Sequence, residues 1–100
     1  MALVVSIGRN IGTAPMGQVQ WLQFQADTLQ AFRAHTPAIY FAGSGMGDYE
    51  GEGEESFTLI GREVDFNTGQ ALKQTLRSLA IKYEQEAIAM TNSGTELAYS

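Results

Sequence analysis

The sequence predicts an α+β two-layer sandwich, with two helices on one face of a mainly antiparallel sheet. Three observations carry this: short β-branched and aromatic runs, two longer stretches with apolar residues at three- and four-residue spacing, and an alternation of the two that starts and ends on a strand. The chain has 100 residues, 44% of them hydrophobic and 10% aromatic, which suits one modest core and a single domain over residues 1–100.

Leu3 to Ile7 is β-branched and stops at Gly8, so it is expected to be the first strand, with Arg9 to Pro15 as a loop. From Met16 to Ala34, Val19, Leu22, Ala26 and Leu29 recur on one helical stripe, and Pro37 closes the segment. Trp21, Phe24 and Phe32 lie beside that stripe, leaving the helix with more apolar surface than one sheet face covers. Ala38 to Ala42 and Ser56 to Ile60 read as antiparallel strands joined across an island of glycine and acid, Gly43 to Glu55, expected to be a mobile, solvated connection. Asp65, Asn67 and Thr68 offer capping oxygens to a second helix, Thr68 to Gln85, whose Leu72, Leu76, Leu79 and Tyr83 share a stripe. Glu86 would fall on that apolar face, so the helix should stop before it. Ala87 to Thr91, the turn Asn92-Ser93-Gly94 and Thr95 to Tyr99 complete the chain as strand, turn and short strand. Leu22, Leu29, Leu72, Leu76 and Leu79 are the expected core.

Strand, helix, strand, strand, helix, strand is the order of the ferredoxin-like sandwich. Val5-Ser6-Ile7-Gly8-Arg9-Asn10, Trp21-Leu22-Gln23-Phe24, Lys82-Tyr83-Glu84-Gln85-Glu86-Ala87 and the closing Ala98-Tyr99-Ser100 resemble a family of short bacterial and phage proteins catalogued as a domain of unknown function. Ala87 departs from it, since those proteins usually carry serine there, and so does the acidic middle segment. The resemblance implies the fold and brings no reaction with it.

Several function classes are disfavoured by composition. There is no cysteine, hence no disulfide, thiolate nucleophile or cysteine-ligated metal. A net charge of −5, with 6 scattered Lys and Arg residues, opposes nucleic-acid binding. No apolar run approaches the roughly 20 residues of a membrane span, and the N-terminal residues do not form a signal peptide, so the expectation is a cytoplasmic protein with no membrane partner.

His35, the single histidine, belongs at a helix end, where it meets the helix dipole. Gly43-Ser44-Gly45-Met46-Gly47 superficially resembles a phosphate loop, but the acids that follow it would repel phosphate. Those acids do not have EF-hand spacing, and no metal or other cofactor is expected. None of the serines sits in a Gly-x-Ser-x-Gly elbow, and His35 alone is available to activate them.

Two functions remain. One is a non-catalytic binding or interaction module acting as a homodimer through its open sheet face or through Trp21 and Phe24 on the first helix. The other is a small-molecule-binding dimer, or cofactor-free enzyme, with a pocket between sheets lined by Arg9, Asn10, Tyr40 and Tyr83.

Overall fold

The structure is a computed structural model that describes residues 2–49, 52–92 and 96–99. Strand β1 (Ala2–Gly8) leads through the short β2 (Asn10–Ile11) and β3 (Ala14–Pro15) into helix α1 (Gln18–His35). Strands β4 (Ile39–Tyr49) and β5 (Glu52–Arg62), helix α2 (Phe66–Lys82), and strands β6 (Ala89–Asn92) and β7 (Glu96–Tyr99) follow. The five-stranded sheet has the order β4-β5-β1-β6-β7, with β1 antiparallel to both β5 and β6, as the ferredoxin-like expectation required.

Alternation along the strands sorts the two faces. Leu3, Val5 and Ile7 of β1, Phe57 and Leu59 of β5 and Met90 of β6 are buried beneath the helices. The residues between them, such as Val4, Ser6, Thr58 and Ile60, point the other way and are only half-buried. Helix α2 begins where Asp65 accepts the Thr68 N–H at 2.7 Å, so Asp65 is the working cap of the three candidates. It buries Leu72, Leu76 and Ala80, while Leu79 is partly buried against the same core.

The helix ends at Lys82 rather than Gln85, for a geometric reason. Glu84 has a φ of 56°, its N–H reaches the Ile81 carbonyl at 3.2 Å, and the Gln85 N–H reaches the Ala80 carbonyl at 2.8 Å. This is the Schellman closure, with glutamate at the position that favours glycine. Glu84→Gly is expected to relieve the left-handed strain and raise stability by about 1 kcal/mol, a gain of several degrees in thermal melting. No gain would mean that this closure carries no strain.

Helix α1 reverses the expected inside and outside. Trp21 and Phe24 are 1% and 0% exposed, together with buried Thr28, Ala31 and Phe32, whereas Val19 is 80% and Leu22 52% exposed. The aromatic stripe therefore faces the sheet and α2, and the aliphatic stripe faces outward; Leu29 is partly buried at its margin. Aromatic side chains hide more area each, so the helix turns them inward when it cannot bury both stripes. Leu22 is half exposed rather than core, and Trp21 and Phe24, expected at an interface, are buried within the chain.

The glycine and acid segment is also not the loose connection expected. Strands β4 and β5 pair from Ile39 opposite Gly61 to Tyr49 opposite Glu52, forming a hairpin arm that runs past the end of β1. Residues 50–51 at its tip, and residues 93–95 of the expected last turn, lie outside the described residues. A β-bulge between Ile39 and Phe41 opens the arm at Tyr40, against Gly61. A β-carbon at Gly61 would stand 2.6 Å from the Ala38 carbonyl oxygen and 2.8 Å from the Phe32 ring, which is why glycine occupies that position. Among the described residues no helix is long and apolar enough to cross a membrane.

Candidate functional site

Two of the acids in that arm have specific partners, and they point to opposite faces. Glu55 lies on the helix side, where Arg9 Nη1 donates to it at 2.8 Å and the Trp21 indole N–H at 3.1 Å. The Arg9 hydrogen bond, then that of Trp21, holds the Glu55 carboxyl below its usual range. Arg9 also donates through Nε to the Met16 carbonyl at 2.8 Å, and its backbone exchanges bonds with Glu55 and Met16. This guanidinium is structural: it locks the arm to the segment entering α1.

Glu54, one residue earlier, turns to the open face. A β-carbon at Gly8 would stand 2.5 Å from its carboxylate carbon and both oxygens, so Glu54 lies directly over the end of β1. It accepts the Asn10 backbone N–H at 2.9 Å and has no cationic partner among the described residues. Asn10 is itself held, its carbonyl accepting from Gln85 Nε2 at 2.9 Å and its side-chain amide donating to the Gly53 carbonyl at 3.3 Å. The left-handed Glu84 turns Gln85 back toward this corner, which ties the end of α2 to the site.

From Glu54 the open face continues as cross-strand rows. Gly8 stands opposite Ser56, which faces Gly45; Ser6 opposite Thr58, which faces Gly43; Val4 opposite Ile60, which faces Phe41. Ser6 and Thr58 share a hydroxyl–hydroxyl bond of 3.1 Å. Ile60 and Glu54 are six positions apart along β5, so the face spans about 20 Å from an apolar end through hydroxyls to a carboxylate. Gly45 and Gly47 have no side chain over them, and the exposed Phe41 ring folds across Gly43.

The four residues read as one pocket do not meet. Arg9 and Asn10 sit at the end of β1, Tyr40 is exposed on the bulge at the opposite end of the sheet, and Tyr83 is 3% exposed between the helices. Tyr83 stacks on Phe24 with centroids 4.4 Å apart and donates its hydroxyl to Asp27 at 2.6 Å, with Lys82 Nζ on the same oxygen at 3.1 Å. His35 closes α1, its Nδ1 lying 2.7 Å from the Ala31 carbonyl, which only a protonated Nδ1 can satisfy. No three metal-ligating side chains converge among the described residues. Sequence reasoning missed Glu54, because a surface acid in a glycine-rich stretch gives no sign of its partners. The one available signal was the alternation of the arm itself, which places Glu54, Ser56 and Thr58 on one side.

Among solved structures, the chain is similar to a phage SAM lyase in its apo state, with a TM-score of 0.63 and 16% identity over 99% of this chain and 86% of that one. The phage SAM lyase in complex with S-methyl-5'-thioadenosine matches with a TM-score of 0.59, 16% identity, and coverage of 99% and 87%. At this identity the likeness establishes the fold. No protein-family model and no curated protein matches the sequence.

Proposed function

We propose that this protein binds an S-adenosyl sulfonium compound, or the thioether nucleoside derived from it, on the open sheet face, and without a cofactor breaks the bond between sulfur and the amino-acid chain, the bonding pair passing to sulfur to leave the neutral thioether while the substrate's own carboxylate oxygen closes on the freed carbon as a lactone. The observation that carries this reading is Glu54, an unpaired carboxylate held over Gly8 at the end of a row of hydroxyls. A sulfonium nucleoside matches that gradient: its cation suits the carboxylate, its ribose hydroxyls suit Ser6, Ser56 and Thr58, and its flat purine suits the glycines and Phe41. The fold likeness to a lyase solved with S-methyl-5'-thioadenosine supports the ligand class.

Incubation with SAM and chromatography for S-methyl-5'-thioadenosine tests the reaction, and calorimetric titration with each compound tests the binding. Glu54→Gln is expected to weaken SAM binding by about tenfold or more, the size of one hydrogen-bonded charge contact, while changing affinity for the neutral thioether less. Equal loss for both ligands would remove the charge argument. Binding with no turnover would return the protein to the class of non-catalytic modules, and binding of neither compound would end the proposal.

A further inference from the structure

Strand β4 is an edge of the sheet, and past the bulge at its start, from Phe41 to Gly47, it carries no charged residue, no proline and no further bulge to keep another edge away. Its 11 residues, Ile39-Tyr-Phe-Ala-Gly-Ser-Gly-Met-Gly-Asp-Tyr49, include no lysine, arginine or proline. Three alternating glycines keep its open face low. Two large apolar side chains project from it, Met46 at 76% exposed and Phe41 at 52%. Beside its start, between α1 and β4, lies an open groove lined by Leu29, Arg33, Pro37, Ala38, Ile39 and Ala42.

The two ends of this edge differ in charge. At the start stand Arg33 and the exposed Arg62, whose backbone N–H bonds the Ala38 carbonyl at 2.9 Å; neither is ion-paired among the described residues, and Glu63 offsets part of their charge. The far end has the Glu54 carboxylate, on the returning strand opposite Gly47. An edge that is basic at one end and acidic at the other is complementary to a reversed copy of itself.

We propose that β4 pairs antiparallel with β4 of a second copy, about a two-fold axis at Ser44. Pairing of residues 41–47, the regular stretch past the bulge, with themselves centres on residue 44, and this register matches side chains on both faces. On the helix side Met46 comes opposite Ala42 of the second copy, where the groove receives its side chain. On the open side Phe41 comes opposite Gly47, and Gly43 opposite Gly45, so no β-carbon obstructs the Phe41 ring. The two five-stranded sheets then form one continuous sheet, each copy contributing the same surface.

Ser44→Cys tests both the pairing and its register, because the chain has no cysteine of its own. Directly opposed residues of an antiparallel pair have Cα atoms about 4.5–5.5 Å apart, within disulfide reach. Ser44 is exposed, so the variant is expected to keep the parent melting temperature and to cross-link to a covalent dimer under mild oxidation. Ser78→Cys, on the exposed face of α2, is expected to stay monomeric on a non-reducing gel. Light scattering of the parent protein at micromolar concentration is expected to give twice 10.9 kDa, and Met46→Asp to return it to 10.9 kDa with its fold retained by circular dichroism. A parent mass of one or three chains, equal cross-linking at Ser44→Cys and Ser78→Cys, or a dimer untouched by Met46→Asp would each overturn the proposal. The measurements are made without nucleoside, so their failure leaves the ligand reading standing.

Discussion

Trp21→Ala is expected to cost about 3–5 kcal/mol, the range for emptying a fully buried large aromatic site. Domains of this size have about 5–15 kcal/mol in total, so melting should fall by about 15 °C or more, or the variant should fail to fold at room temperature. The loss has two parts. Trp21 fills the core beside Phe24, with ring centroids 6.1 Å apart at 70°, and its indole N–H is one of the two side-chain donors that hold Glu55. Trp21→Phe separates them: it keeps most of the packing, loses the bond to the Glu55 carboxylate, and should melt between the parent and Trp21→Ala. Trp21 is the single tryptophan, so its fluorescence reports unfolding of the parent directly. A Trp21→Ala protein that melts with the parent and only changes its oligomeric state would make Trp21 an interface residue after all.

The sandwich was legible because its signals are local and repeated. Leu72 and Leu76 define the inner stripe of α2, Asp65 marks its start, and the alternation of Leu3, Val5 and Ile7 assigns β1 its two faces. Helix α1 was ambiguous on the same criterion, since Val19, Leu22 and Ala26 repeat as regularly as Trp21, Phe24 and Phe32. Periodicity says that a stripe exists; which of two stripes is buried depends on the area each hides and on what the neighbouring elements present. Here β5 presents Glu55 to the indole and α2 presents Tyr83 to the Phe24 ring, both supplied from far along the chain.

The site was less legible for the same reason. Glu54 and Glu55 are adjacent and chemically identical, yet one anchors Arg9 and Trp21 on the helix side and the other lies over Gly8 on the open face. Strand alternation separates them only once the segment is known to be a strand, and its glycines argue against that locally. Pairing of β4 with β5 overrides this preference, because β5 is held by β1 along its length and carries the arm outward with it. Arg9, Asn10 and Tyr83 carry polar chemistry that stands out in the sequence, and each makes specific contacts within the chain: Arg9 with Glu55, Asn10 with Glu54 and Tyr83 with Asp27.

Asp27→Ala is expected to lower stability by about 1–3 kcal/mol at neutral pH, since it leaves the buried Tyr83 hydroxyl without its acceptor. The pH dependence identifies the cause. The Tyr83 hydrogen bond, and then Lys82, outweigh partial burial and hold the Asp27 carboxyl below its ordinary value. A carboxyl lowered in this way adds stability that is complete above its unfolded value, near pH 4, and disappears as the pH falls through the folded value. The gap between parent and Asp27→Ala should therefore be level through neutral pH and close on the acid side. Tyr83 is shifted upward, first by burial and then by Asp27, so its contribution is complete below about pH 10 and fades as the pH rises through its folded value. Burial of Tyr83 persists in the variant, so both proteins should lose stability on the alkaline side and the gap should narrow only in part. Asp27→Asn retains an acceptor for the tyrosine without the charge, and should fall between the two with no acid limb of its own. Denaturant titrations of the three proteins across this pH range measure all of it, and a gap between parent and Asp27→Ala that stays constant below pH 4 would show that the charged carboxylate is not what Tyr83 and Lys82 hold.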